Sequence, residues 1–152
     1  MALAYPVPVM VARAVSSLPA GDGYAYEPKF DGFRCVAFRT DKPQARLQSR
    51  NERSLTDRFL DVAQAVADHV PEGTVLDGEL VVVAGGKLDF AALQQRMASN
   101  SAKLPACLVV FDMLADRGVD VRGLPYLERR GRLEQLVGTG NAGVNLMPMT
   151  RE

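Results

Sequence analysis

Two runs limit what this chain can fold into: "VLDGELVVV" at residues 75–83 and "ACLVVFDML" at residues 106–114. Each is strand-length, rich in valine and nearly continuous in apolar character, so its side chains call for cover on both faces. A sheet with its central strands between two layers meets that demand. Further strands are expected at 24–29, 34–39 and 45–49. Helical periodicity is clear in "SLTDRFLDVAQAVADHVP", where Leu55, Phe59, Val62, Val66 and Val70 make an apolar stripe. Ser54 or Thr56 supplies its cap and Pro71 its stop. A second helix is expected from Asp89 through Leu93 and Met97, and a third after Pro125, through Leu127, Leu133, Leu136 and Val137 to Gly138. Strands and helices mix without a βαβ rhythm, so the expected class is α+β, mostly antiparallel sheet flanked by helices.

The chain's 152 residues suit one domain. Residues 1–23 read as an irregular lead-in, broken by Pro6, Pro8, Pro19 and the turn at Gly21 and Gly23. Residues 24–137 carry the motifs. In the tail, 138–152, the run "VNLMPM" predicts a further strand, either at a sheet edge or cut from something longer. The 18 basic and 18 acidic residues cancel, so no global field attracts nucleic acid and such a role would need a local patch or another domain. Cys35 and Cys107 sit in apolar runs and read as small buried thiols in a reducing cytosol rather than a disulfide or metal site. A single histidine, His69, argues against histidine-based catalysis or a histidine-rich metal centre. The N-terminus lacks the pattern of a signal peptide, and no apolar run is long enough to span a bilayer, so a cytoplasmic location is expected.

The stretch "YAYEPKFDGFRCVAFRT" reads first as a β-hairpin turning at Asp31 and Gly32. That accounts for the Asp-Gly pair and leaves Lys29 unexplained. In an extended strand Glu27 and Lys29 share a face, with Asp31 and Arg34 just across the turn. "QSRN" (Ser49, Arg50, Asn51), "LDGEL" (Asp77, Gly78, Glu79) and "VVFDML" (Phe111, Asp112) likewise put a charged or aromatic residue in or beside a strand. Taken singly, Arg50 is equally a solvated loop charge, Glu79 an exposed turn residue and Phe111 a core aromatic.

Their order changes the reading. The series "EPKFDGFR", "SRN", "LDGEL", "VVFDML", with the connectors "DFAALQQR" and "LPYLERRGRLEQL", resembles the nucleotidyltransferase domain of ATP-dependent DNA ligases over residues 5–137, and most closely the compact bacterial and archaeal type. RNA ligases and mRNA capping enzymes share the first motif, which leaves them, or a non-catalytic nucleotide-binding remnant, as alternatives; the connector and "SRN" favour DNA ligase.

The resemblance implies an ATP-grasp-like adenylation fold, with ATP and Mg²⁺ as cofactors and nicked double-stranded DNA as the partner of the complete protein in repair, replication or recombination. Lys29 matches the nucleophile that takes AMP from ATP, and its amine must be unprotonated to attack, against an ordinary lysine pKa of about 10.4. Glu27 matches the acceptor for the adenine 6-amino group. Arg34 and Glu79 match the groups that hold the ribose hydroxyls, Arg50 the arginine near the nucleotide and the DNA 5′-phosphate, and Phe111 the aromatic under the purine. Asp31 is expected to orient the lysine and a metal-bound water, and no residue is assigned as a direct metal ligand. The family's later EGxxxK and KxK motifs and its OB-fold are not found before Glu152. The expectation is therefore a partial adenylation domain, at best a weak nucleotide binder alone.

Overall fold

The computed structural model describes residues 2–99, 104–141 and 143–152. Its centre is a twisted sheet built on β1 (Phe33–Phe38), β2 (Arg46–Ser49), β3 (Val75–Ala84) and β5 (Ala106–Asp116), with short strands β4 (Lys87–Leu88), β6 (Val119–Asp120) and β7 (Val144–Leu146). The order is β2-β1-β3-β5-β6; β4 pairs with β3, and β7 runs parallel to β5 while every other pairing is antiparallel. The two valine-rich runs are the two long central neighbours, β3 and β5. The tail run does form a strand, held to β5 by the parallel pairing of Val144 with Leu108.

Three helices cover one face: α1 (Leu60–His69), α2 (Phe90–Ser99) and α3 (Tyr126–Val137). Val62, Ala63 and Val66 of α1, Leu93 of α2 and Leu133 of α3 meet Ala37, Leu47, Leu76, Leu80, Leu108, Val110 and Met113 in the main core. Fully burying side chains of this size contributes about 1.5–3 kcal/mol each. Asp89 caps α2 by accepting from the Ala92 N–H at 2.9 Å, and Gly138 ends α3 at φ 59°. Among the described residues no helix is long and apolar enough to cross a membrane.

The other face is covered in part by the N-terminal segment. Leu3, Tyr5, Val7 and Val9 pack on Val36, Phe38, Val75 and Ala115. Buried Gln48 fastens this segment as a strand would, accepting from the Val7 N–H at 2.8 Å and donating to the Val7 carbonyl at 2.6 Å. Beyond Val9 the cover stops, and the rest of that face opens into a cleft.

Two expectations are corrected. The helix foreseen from Ser54 starts later, at Leu60, after a single 3₁₀ turn over Thr56–Arg58. Phe59, fully buried, breaks the helical geometry at φ −136°, and the Thr56 hydroxyl accepts from the Leu47 N–H at 2.9 Å instead of capping α1. The hairpin is also absent. Residues 24–29 form no strand; only Tyr26 pairs, in an isolated bridge to Thr150. The reason is occupancy, since β1 is already bonded on one edge to β2 and on the other to β3. Gly32 does not take the positive φ of a hairpin turn; a side chain there would collide with the Leu80 carbonyl.

Gly32 is therefore required for close approach, not for turn geometry. Both Gly32→Ala and the turn-compatible Gly32→Asn should lower unfolding free energy by about 1–3 kcal/mol in denaturant titrations. A Gly32→Asn protein as stable as the parent would restore the turn explanation.

Candidate active site

Strand side chains facing away from the main core, with Phe90 and Met97 of α2 and Arg129 of α3, bound a cleft of about 1210 Å³. Along β3 the alternation sends Leu76, Gly78, Leu80 and Val82 toward the helices, and Asp77 and Glu79 to the cleft. On β5 the alternation is broken. Asp77 faces Asp112 while Gly78 faces Val110, so Phe111 is an extra residue, a β-bulge, in the ladder. Val110 and Met113 stay in the main core, and Phe111 and Asp112, adjacent in sequence, both reach the cleft. Gly78 makes room for the bulge, since a side chain there would strike the Val109 carbonyl.

All six residues singled out from the sequence line this cleft: Glu27, Lys29, Arg34, Arg50, Glu79 and Phe111. Phe111 is half-buried over Val81, Val109 and Met147, and the Arg34 guanidinium carbon lies 5.0 Å from its ring centre. Arg34 is held by Asp77, its Nε and Nη2 each donating to one carboxylate oxygen at 2.7 Å. This geometry uses two of its nitrogens and leaves Nη1 outside that pair. The bond to Asp77 raises the Arg34 pKa, so it stays charged, while burial pushes the Asp77 carboxyl up against the pull of Arg34. Burial also raises the Glu79 carboxyl, whose neighbours in charge are Arg34, Asp77, Lys29 and Asp31. Lys29, Asp31 and Arg50 are exposed at the cleft's rim. Glu27 and Lys29 thus share the cleft without the strand alternation from which their common face was inferred.

Several groups in or beside the cleft were given no role by sequence reasoning. Arg129 of α3 grips Asp112 through Nε at 2.8 Å and Nη2 at 3.0 Å. Tyr126, one turn earlier, donates its hydroxyl to Glu27 at 2.5 Å, and Arg130 brings Nη1 to 3.5 Å from the same carboxylate oxygen. These partners lie about a hundred residues from Glu27 in sequence, so no local pattern could pair them. The only signal was the connector "LPYLERRGRLEQL", which carries all three.

An α+β sheet with this charged, aromatic-floored cleft is the architecture of a nucleotidyltransferase, and the comparisons narrow the class. The model of the ATP dependent DNA ligase domain matches residues 2–151, and the chain belongs to that family. It is 39% identical over 154 residues to DNA ligase C2 of Mycolicibacterium smegmatis, covering 97% of this chain and 43% of that one. It is 38% identical over 148 residues to DNA ligase C of Mycobacterium tuberculosis, covering 93% and 40% respectively. Among solved structures, a mycobacterial DNA ligase D complexed with ATP and MES superposes with a TM-score of 0.64 at 26% identity, over 82% of this chain and 39% of that one. The chain therefore spans about two-fifths of the length of these relatives.

Arg34 and Asp77 are a partly buried ion pair, with side-chain exposures of 18% and 6%. Breaking a buried pair strands the remaining charge, which costs roughly 3–5 kcal/mol, and water reaching Arg34 from the cleft reduces this to about 2–3. Asp77→Ala should be destabilised by that amount. The double variant Asp77→Ala/Arg34→Met should lose clearly less than the sum of the single losses in a double-mutant cycle; simple additivity would show the pair to be uncoupled.

Proposed function

We propose that this chain is the ATP-binding part of a DNA ligase adenylation domain, and that within the complete protein Lys29 accepts AMP from ATP. The reading is carried by one observation: Glu27, Lys29, Arg34, Arg50, Glu79 and Phe111, drawn from four separate segments, line a single cleft.

The neutral Lys29 Nζ attacks the α-phosphorus of ATP. A P–N bond forms, the P–O bond to pyrophosphate breaks, and the amine gives up a proton to yield a lysyl phosphoramidate. Phe111 offers its ring to the adenine, a stacking contact worth roughly 1–3 kcal/mol. Glu27 accepts from the 6-amino group. Arg34, with Nη1 left free by Asp77, and the Glu79 carboxylate hold the ribose hydroxyls. Arg50, exposed at the rim, meets the nucleotide and then the DNA 5′-phosphate. AMP passes to that phosphate, and the adjoining 3′-hydroxyl displaces it to seal the nick, the reaction on which repair, replication and recombination draw.

Magnesium fits this cleft as a phosphate-borne ion. Among the described residues no three of His, Cys, Asp and Glu cluster to cage a metal. Mg²⁺ commonly takes one or two carboxylates and completes its shell with substrate phosphate and water. Asp31, close enough for its charge to act on Glu79, is suited to hold a water of that shell and to orient Lys29. The ion would supply charge neutralisation on the triphosphate.

Incubation of the complete protein with α-labelled ATP and Mg²⁺ should give an acid-labile covalent adduct that Lys29→Ala abolishes and Lys29→Arg barely restores. A fully labelled Lys29→Ala protein would remove the assignment. Phe111→Leu keeps apolar bulk and loses the flat ring, so it should raise the ATP requirement about tenfold with little change in melting temperature. A large fall in melting temperature at unchanged ATP affinity would return Phe111 to the core.

A further inference from the structure

The proposed adenine contact, Glu27, is not free to adopt its own charge state or direction. It lies in an irregular segment between Tyr26, bridged to Thr150, and Lys29, so no regular element fixes its side chain. What fixes it is α3. The Tyr126 hydroxyl donates to Glu27 Oε1 at 2.5 Å. Arg130, 4% exposed, is itself locked: Nε donates to Glu134 at 2.8 Å and Nη2 to the Met147 carbonyl at 2.7 Å. Its remaining nitrogen, Nη1, is buried with no hydrogen-bond partner and is 3.5 Å from Glu27 Oε1, near enough for charge attraction and short of a hydrogen bond. A buried guanidinium nitrogen left without a partner is unusual and calls for a reason. Both α3 groups meet the same oxygen, Oε1, so Oε2 of this cleft-lining residue is left out of both contacts.

We propose that Tyr126 and Arg130 are positioning residues for nucleobase choice: by engaging one oxygen of Glu27 from behind, they hold its other oxygen as an acceptor, which suits a 6-amino purine and repels a 6-oxo purine. The proposal rests on the reading of Glu27 as the adenine contact. Its chemistry is simple. An ionised carboxylate only accepts hydrogen bonds, whereas a protonated one can also donate, and would then satisfy the carbonyl of guanine. Burial pushes Glu27 toward the protonated form, and Asp112 on β5 adds to that push. The Tyr126 hydrogen bond and the Arg130 charge oppose it. On the same helix Arg129 is engaged with Asp112, and Glu134 with Arg130. Burial is the larger effect and the Glu27 carboxyl stands above its ordinary value, so the two α3 side chains, which need not touch the nucleotide, are what keeps it from rising further.

The sign of the pH effect follows. Removing the Tyr126 hydroxyl or weakening the Arg130 charge raises the pH at which Glu27 takes up a proton. Discrimination should then fail at a higher pH than in the parent as the solution is acidified. The ratio of ATP to GTP labelling isolates this effect, because ionisation of Lys29 enters both rates equally and cancels.

The test uses the complete protein with α-labelled ATP or GTP and Mg²⁺, with initial rates of covalent labelling measured from neutral to mildly acidic pH. Tyr126→Phe, which keeps the half-buried ring, should lower the ATP:GTP ratio about tenfold, the scale of one hydrogen bond to a charged group. The fall of the ratio with acidification should begin about one pH unit higher than in the parent. Arg130→Gln, which removes the charge and keeps a polar side chain, should move the ratio in the same direction. Should that variant fail to fold, Tyr126→Phe decides alone. Equal losses for both nucleotides, with a pH-independent ratio, would reduce Tyr126 to a structural role and overturn the proposal. Glu27→Gln separates the two levels. An unchanged ratio in Glu27→Gln would overturn the reading of Glu27 itself. A ratio lost in Glu27→Gln but intact in Tyr126→Phe would overturn only the role given to α3.

Discussion

The antiparallel ladder between β3 and β5 is the constraint from which the rest follows. Its strands are the longest in the chain, at 10 and 11 residues, and both lie inside the sheet. One face supplies Leu76, Leu80, Leu108, Val110 and Met113 to the core beneath the helices. The other supplies Asp77, Glu79, Phe111 and Asp112 to the cleft. The bulge at Phe111 makes both roles compatible, because one extra residue puts two neighbours on the same side without disturbing the buried set. A ladder without that residue would have turned either Phe111 or Asp112 into the core.

The cleft divides into a fixed floor and an adaptable rim. On the floor, carboxylates are matched with guanidinium groups: Asp77 with Arg34, Asp112 with Arg129, Glu27 with Arg130. Because Asp77 and Asp112 face each other across the ladder, each requires its own arginine to offset the other's charge. Planar, bidentate guanidinium contacts hold Asp77 and Asp112 in place before any ligand arrives, and the Tyr126 hydroxyl holds Glu27. At the rim, Lys29, Asp31 and Arg50 are exposed. Solvated rim charges adapt at little cost, whereas the floor's orientation is set in advance, a division that suits the proposed nucleotide site.

The helices do more than cover the sheet. From its first two turns α3 sends Tyr126 and Arg130 to Glu27 and Arg129 to Asp112, while Leu133 on the same helix enters the core. Packing free energy at Leu133 thereby holds the polar groups at the cleft in register. Fold stability and site geometry are coupled through one helix.

Much of this was readable beforehand, for reasons that can be named. Continuous valine runs mark doubly covered strands, the stripe from Val62 to Val70 marks α1, and Asp89 and Gly138 mark helix ends, because each depends only on local geometry and burial. The motif residues Glu27, Lys29, Arg34, Arg50, Glu79 and Phe111 were legible because their order along the chain follows a family pattern. The hairpin at Asp31 and Gly32 was misjudged because a local turn signal cannot know that both edges of β1 are taken by β2 and β3. The bulge at Phe111 depends on the register between β3 and β5, set by packing across the sheet. The arginine that answers each carboxylate lies 17 to 103 positions away, as with Arg129 and Asp112 or Arg130 and Glu27. By itself, then, the sequence determined most of the elements and the set of residues that line the cleft, since those properties reside in neighbouring side chains and in their order along the chain. Which carboxylate meets which cation, and which face of β5 the aromatic takes, was decided only by the tertiary structure, because those choices arise when distant segments compete for the same buried space.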